Sequence, residues 1–123
     1  MEAMIIVAVL TIILEVPFVY FTLGKMVGDK KKLVVNSVLI NIITNVSLSM
    51  CSIIANMMRA SIEILILIPL EMLIVIIEAC MYRYATKEVT LKRAMVISFF
   101  ANLFSCVVGG IILFSVINLL ENL

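Results

Sequence analysis

The chain has 123 residues, of which 65% are hydrophobic and 14% charged, with a net charge of +1. A soluble domain is about half apolar and about a quarter charged, so this composition, with a mean hydropathy of +1.31, excludes a water-soluble fold and leaves the lipid bilayer as solvent. There is no histidine, which removes the commonest metal ligand and near-neutral acid–base group; no metal site, no cofactor and no nucleic-acid partner is expected.

Met1-Glu2-Ala3-Met4 lacks a basic n-region, and no small-residue cleavage site follows the first apolar run. That run is therefore expected to remain as a helix, about 3–23, rather than to act as a signal peptide. Gly24 and Gly28 end it, and loop 24–32 holds Lys25, Asp29, Lys30, Lys31 and Lys32. A second helix is expected over about 33–56, followed by a tight turn at 57–61 that carries Arg59. A third covers about 62–84, a polar loop 85–91, and a fourth about 92–118. Each block has the roughly 20 residues a spanning helix needs. None shows the alternating polarity of a barrel strand. The expected fold is all-α: a single membrane domain, 1–123, forming a four-transmembrane-helix bundle.

Eight of the nine basic residues fall in or beside loops 24–32 and 85–91; Arg59 stands alone on the other side. The positive-inside rule then places both loops in the cytoplasm and both termini outside the cell membrane. Setting topology is enough to explain the Lys30-Lys31-Lys32 run. Cys51, Cys80 and Cys106 lie in three different blocks with no Cys-x-x-Cys pair, and are read as buried structural thiols.

Helices 2 and 4 share a spacing: Ser37, Asn41 and Thr44 in one, Ser98, Asn102 and Ser105 in the other. The i, i+4, i+7 pattern keeps each set on one helical face, and it continues to Leu48 and Gly109. Helices 1 and 3 carry Glu15 and Glu78 before their loop-side ends, with Tyr20 in the first and Tyr82 and Tyr84 in the second. The pattern reads as a helical hairpin used twice, related by an axis along the membrane normal. At 1.5 Å per residue, Glu15 and Asn41 come within about 2 Å in depth. Glu78 matches Ser98 and Asn102 in the same way. Glu15 is expected beside Asn41, and Glu78 beside Asn102 or Ser98.

Carboxylates at membrane depth are costly and mark a polar partner, a proton site or an ion path. Glu71 and Glu78 share a helix face with Tyr82, while Glu63 lies near the outer interface and is read as solvated. Twelve Leu, Ile and Val residues between Ile62 and Tyr84 contribute roughly 5 kcal/mol of insertion energy, and two ionised glutamates would about cancel it. Either one glutamate carries a proton or both meet partners inside the bundle. Pro17 and Pro69 each lie two residues from an intramembrane glutamate and disturb the carbonyls of Ile13 and Leu65. The plain reading is a kink, with a hydroxyl such as that of Thr11 repairing the backbone. Helix 2 has the densest polar face: Asn36, Ser37, Asn41, Thr44, Asn45, Ser47, Ser49, Ser52 and Asn56. These residues either glue helices together or line a cavity. Gly109-Gly110 offers a surface for close helix contact.

The leading functional reading is a transporter or channel subunit for a cation, a proton or a small polar solute. Glu15, Glu71 and Glu78 would supply charge, and Asn41, Thr44, Asn45, Ser98, Asn102 and Ser105 polar lining. Four short helices enclose little volume, so a homo-oligomer or a partner membrane subunit is expected. The alternative is a non-transporting structural or assembly subunit of a larger membrane complex. An enzyme is not expected: no helix holds an aspartate, and no nucleophile–base pair is evident.

Overall fold

The computed structural model describes residues 2–57 and 63–123, with side chains at 4–54 and 68–123. The turn carrying Arg59 and the side chains of Asn56 and Glu63 lie outside the described residues. The chain is all-helical: α1 (Glu2–Leu23), α2 (Lys30–Met57), α3 (Glu63–Ala85) and α4 (Leu91–Glu121). Three helices contain stretches long and apolar enough to cross a membrane: Met4–Leu23, Lys30–Ile54 and Leu91–Glu121. α3 has 23 residues, about 34 Å of helix; Glu71, Glu78 and Arg83 interrupt its apolar surface.

Two helix boundaries move from where composition placed them. Lys30, Lys31 and Lys32 belong to α2 rather than to the loop, because the Asp29 carboxylate accepts the Lys32 backbone N–H at 3.0 Å and starts the helix before the apolar run begins. α4 starts at Leu91 behind an N-cap, Thr90, whose hydroxyl accepts the Arg93 N–H, and it continues to Glu121. The loops shorten accordingly to 24–29 and 86–90.

The helices form a closed antiparallel ring. α1 packs on α2, α2 on α3, α3 on α4 and α4 on α1, while neither diagonal pair is in contact among the described residues. Burial is concentrated at the loop end of this ring. In α1 the buried residues are Glu15, Val19, Leu23 and the following Gly24; in α2 they are Leu33, Ser37, Ile40, Asn41 and Thr44. In α3 they begin at Ile74, and in α4 they stop at Gly109. Val19, Leu23, Leu33, Ile40, Ala79, Tyr82, Val89, Ala94 and Ala101 form one core cluster flanked by Phe18, Val27, Met81 and Ile97. Small residues at 79, 94 and 101, all fully or almost fully buried, let the helices approach closely, as membrane helix interfaces favour. The loops are tied as well: the Gly28 N–H donates to Glu88 Oε2 at 3.1 Å, and the Arg93 guanidinium meets the Met26 sulfur at 3.7 Å. Lys30 Nζ lies 5.9 Å from the Tyr20 ring centroid.

The three thiols depart from their expected places. All are free; Cys51 is half-buried, and Cys80 and Cys106 are exposed. A small apolar thiol exposed on the outside of a helix, as Cys80 is, is at no disadvantage in lipid, so the burial preference learned from soluble proteins does not apply there.

Candidate functional site

Where the buried core ends, a layer of polar side chains crosses the bundle. Glu78 of α3 stands at its centre and is only 2% exposed. The hydroxyl of Thr44 in α2 donates to Oε1 at 2.9 Å, and that of Ser98 in α4 donates to Oε2 at 2.9 Å. The Asn102 amide donates to the same Oε2. Glu78 thus accepts three side-chain hydrogen bonds from two neighbouring helices, including both partners expected from depth. Glu15 of α1, 1% exposed, has the expected Asn41 beside it and a further partner that depth did not name. Ser105 Oγ of α4 donates to its Oε1 at 2.6 Å. Asn41 stands beside the Glu15 carboxyl, but its amide N–H donates to the Ser37 carbonyl at 3.1 Å and its Oδ1 has no partner. Equal depth brought Asn41 alongside; the rotation of α4 presented Ser105 at closer range.

Beneath this layer, toward the loops, Tyr82 Oη and Ser37 Oγ share a hydrogen bond of 2.8 Å at the α2–α3 interface, with both side chains 1% exposed. These two were absent from the sequence-based site. The available signal was the i+4 spacing of Tyr82 from Glu78, which puts a phenol on the same face one turn closer to the loops.

Toward the chain termini the helices part and enclose a cavity of about 380 Å³, lined by all four of them. Glu15, Glu78, Thr44, Asn102 and Ser105 form its polar end. Glu71 also lines it; seven residues from Glu78, it lies about 10 Å further along the helix axis. Glu71 is exposed, and no hydrogen bond reaches it among the described residues. Asn45 lines the cavity while donating to the Asn41 carbonyl at 2.8 Å. Asn41 and Ser98 do not line it; both belong to the layer below.

Other expected polar groups go elsewhere. Of the α2 polar face, Ser37, Asn41 and Thr44 are buried, Asn36, Asn45, Ser49 and Ser52 are half-buried, and Ser47 is exposed, with its hydroxyl returned to the Ile43 carbonyl at 2.9 Å. That local bond lets a serine face lipid without an orphaned donor. Thr11 does not repair the backbone at Pro17: its hydroxyl donates to the Val7 carbonyl at 2.9 Å. Pro17 and Pro69 are both exposed. Gly109 is buried against Leu10 and Leu14, while nothing approaches Gly110. No group of three or more Cys, Asp or Glu suited to a metal ion occurs among the described residues.

Comparisons with known protein families, curated proteins and solved structures found no match. The functional reading therefore rests on the site itself. The chain is a small helical protein with the helices of a membrane protein.

Proposed function

We propose that this chain is a four-span membrane protein that handles a cation, a proton or a small polar solute through its intramembrane glutamates. The observation that carries the reading is the pair Glu15 and Glu78. They come from diagonal helices, are held by donors from α2 and α4, and both open onto one cavity. A carboxylate kept at membrane depth with its donors arranged around it is a costly feature unless something positive meets it. α3 spans with the others, because Glu78 is sheltered by its neighbours and Glu71 faces the cavity rather than acyl chains. Both termini lie outside and the two lysine-bearing loops in the cytoplasm, so the cavity opens outward while the tied loops and the core close the cytoplasmic end.

The pattern of burial supports a duplicated hairpin. Glu15, Val19 and Leu23 of α1 are buried, as are Glu78, Tyr82 and Thr86 at the same spacing. Leu33, Ser37, Ile40 and Thr44 of α2 match buried Ala94, Ser98, Ala101 and Ser105 of α4. The cross-hairpin bonds Thr44 to Glu78 and Ser105 to Glu15 are equivalent under that relation.

Liposomes containing the protein are expected to show proton or monovalent-cation flux. Glu78→Gln should abolish that flux while preserving assembly. A protein that passes nothing and purifies only with another membrane subunit would replace this reading with the docking one. The exposed Ser47 and half-buried Asn36, Ser49 and Ser52, which the cavity does not use, are the observations that favour that second reading.

A further inference from the structure

We infer that the cavity binds a small protonated amine with an apolar body, and that its ammonium group docks on Glu15. The inference rests on the reading of the cavity as a solute site and names the class of solute. Its charge selectivity follows from the lining: among the described residues Glu15, Glu71 and Glu78 are present and no lysine or arginine is, so an anion would meet like charge there. The rest of the wall is mostly apolar, with Leu10, Met72, Val75, Phe99, Leu103 and Leu113. Beyond its polar end such a wall adds no oxygens for an inorganic ion, which takes about six around it. It does suit a hydrocarbon or aromatic body, and Phe99 adds a ring face. The volume, about 380 Å³, falls at the low end for small-molecule pockets.

The docking point follows from counting donors. A carboxylate can accept about four hydrogen bonds. Glu78 already accepts three from Thr44, Ser98 and Asn102. Glu15 is as deeply buried but accepts one, at Oε1. No hydrogen bond reaches its Oε2 among the described residues; Asn41 stands alongside Glu15, in the layer below the cavity. A carboxylate oxygen without a donor at the polar end of the cavity calls for a ligand that brings N–H groups. An ammonium does so; a quaternary ammonium or phosphonium, equally charged, cannot. Glu71, which no hydrogen bond reaches among the described residues, lies nearer the chain termini and attracts the same cation on its way in.

The test uses the full chain in lipid nanodiscs and three probes of one shape, with binding read by calorimetry. Phenethylammonium is expected to bind; its N,N,N-trimethyl analogue and the neutral phenethyl alcohol are expected to bind at least about tenfold more weakly, as follows when buried acceptors lose their donor. Glu15→Gln should lose phenethylammonium affinity by at least about tenfold, and Glu71→Gln, whose side chain has no internal partner to lose, by a smaller factor. Equal binding of all three probes would overturn the inference and make the cavity a lipid-filled gap. Equal binding of the two cations would overturn the donor argument. Should Glu15→Gln fail to fold, the probe series on the unaltered protein decides alone. Amine binding without any flux would support this inference while removing the transport reading; proton or cation flux with no amine binding would do the reverse.

Discussion

The loop half and the terminal half of this bundle are built from helices of similar hydrophobicity, yet only one is packed. Toward the loops, Val19, Leu23, Leu33, Ile40, Ala79 and Ala101 close the interior, two loop contacts cap it, and Tyr82 bonds Ser37 across it. Toward the termini, no described residue of α1 before Glu15 or of α2 after Thr44 is buried. The difference lies in side-chain size and in short connections. Alanines at 79, 94 and 101 let the helices come together at one end, while larger side chains such as Met72 and Leu113 line the cavity toward the other. Hydrophobicity puts a helix in a membrane; it does not bring two helices together there, because lipid is as apolar as leucine. The polar layer of Glu15 and Glu78 marks the border between the two regimes.

The contrast should be plainest in thiol chemistry. Cys106 lines the cavity and should react readily with a polar maleimide, whereas a cysteine placed at Ala101, one turn inside the packed half, should stay unlabelled in the folded protein. Comparable labelling at both positions would erase the border. Next in size is overpacking. Ala101→Leu should cost about 1–3 kcal/mol, as extra methylenes in a filled core do, read by denaturant titration in micelles. A smaller loss is expected from Tyr82→Phe. It leaves the buried Ser37 hydroxyl without its phenol partner, at about 1 kcal/mol. The smallest effect belongs to the open half: Gly110→Leu, where an added Cβ meets nothing within 4 Å, should shift stability by less than about 0.5 kcal/mol. A large loss there would show that the terminal half is packed after all.

Much of the site was legible before the fold. The i, i+4, i+7 spacing of Ser37, Asn41 and Thr44 put all three on a buried face, and depth alone matched Glu78 to Ser98 and Asn102. At Glu15 depth rightly put Asn41 alongside, but it did not point to Ser105, whose hydroxyl donates to the carboxylate. Height along a helix is set by counting residues, but the donor that reaches a carboxylate also depends on how each neighbour is rotated. Composition likewise misjudged the cysteines and Ser47, since the preference for burial belongs to water and not to lipid. The capping contacts of Asp29 and Thr90, which lengthen α2 and α4 at their starts, were present in the sequence as residue types and went unused.

By itself the sequence determined four helices, the apolar surface that suits three of them to crossing a membrane and the inward faces of the polar stripes, because apolar content and helical period are properties of each segment alone. Only the tertiary structure decided which donors serve Glu15, that Tyr82 locks onto Ser37, and that one end of the ring closes while the other encloses a cavity. Those outcomes depend on the tilt and rotation of four helices against one another, which are set by the fit of all their side chains at once.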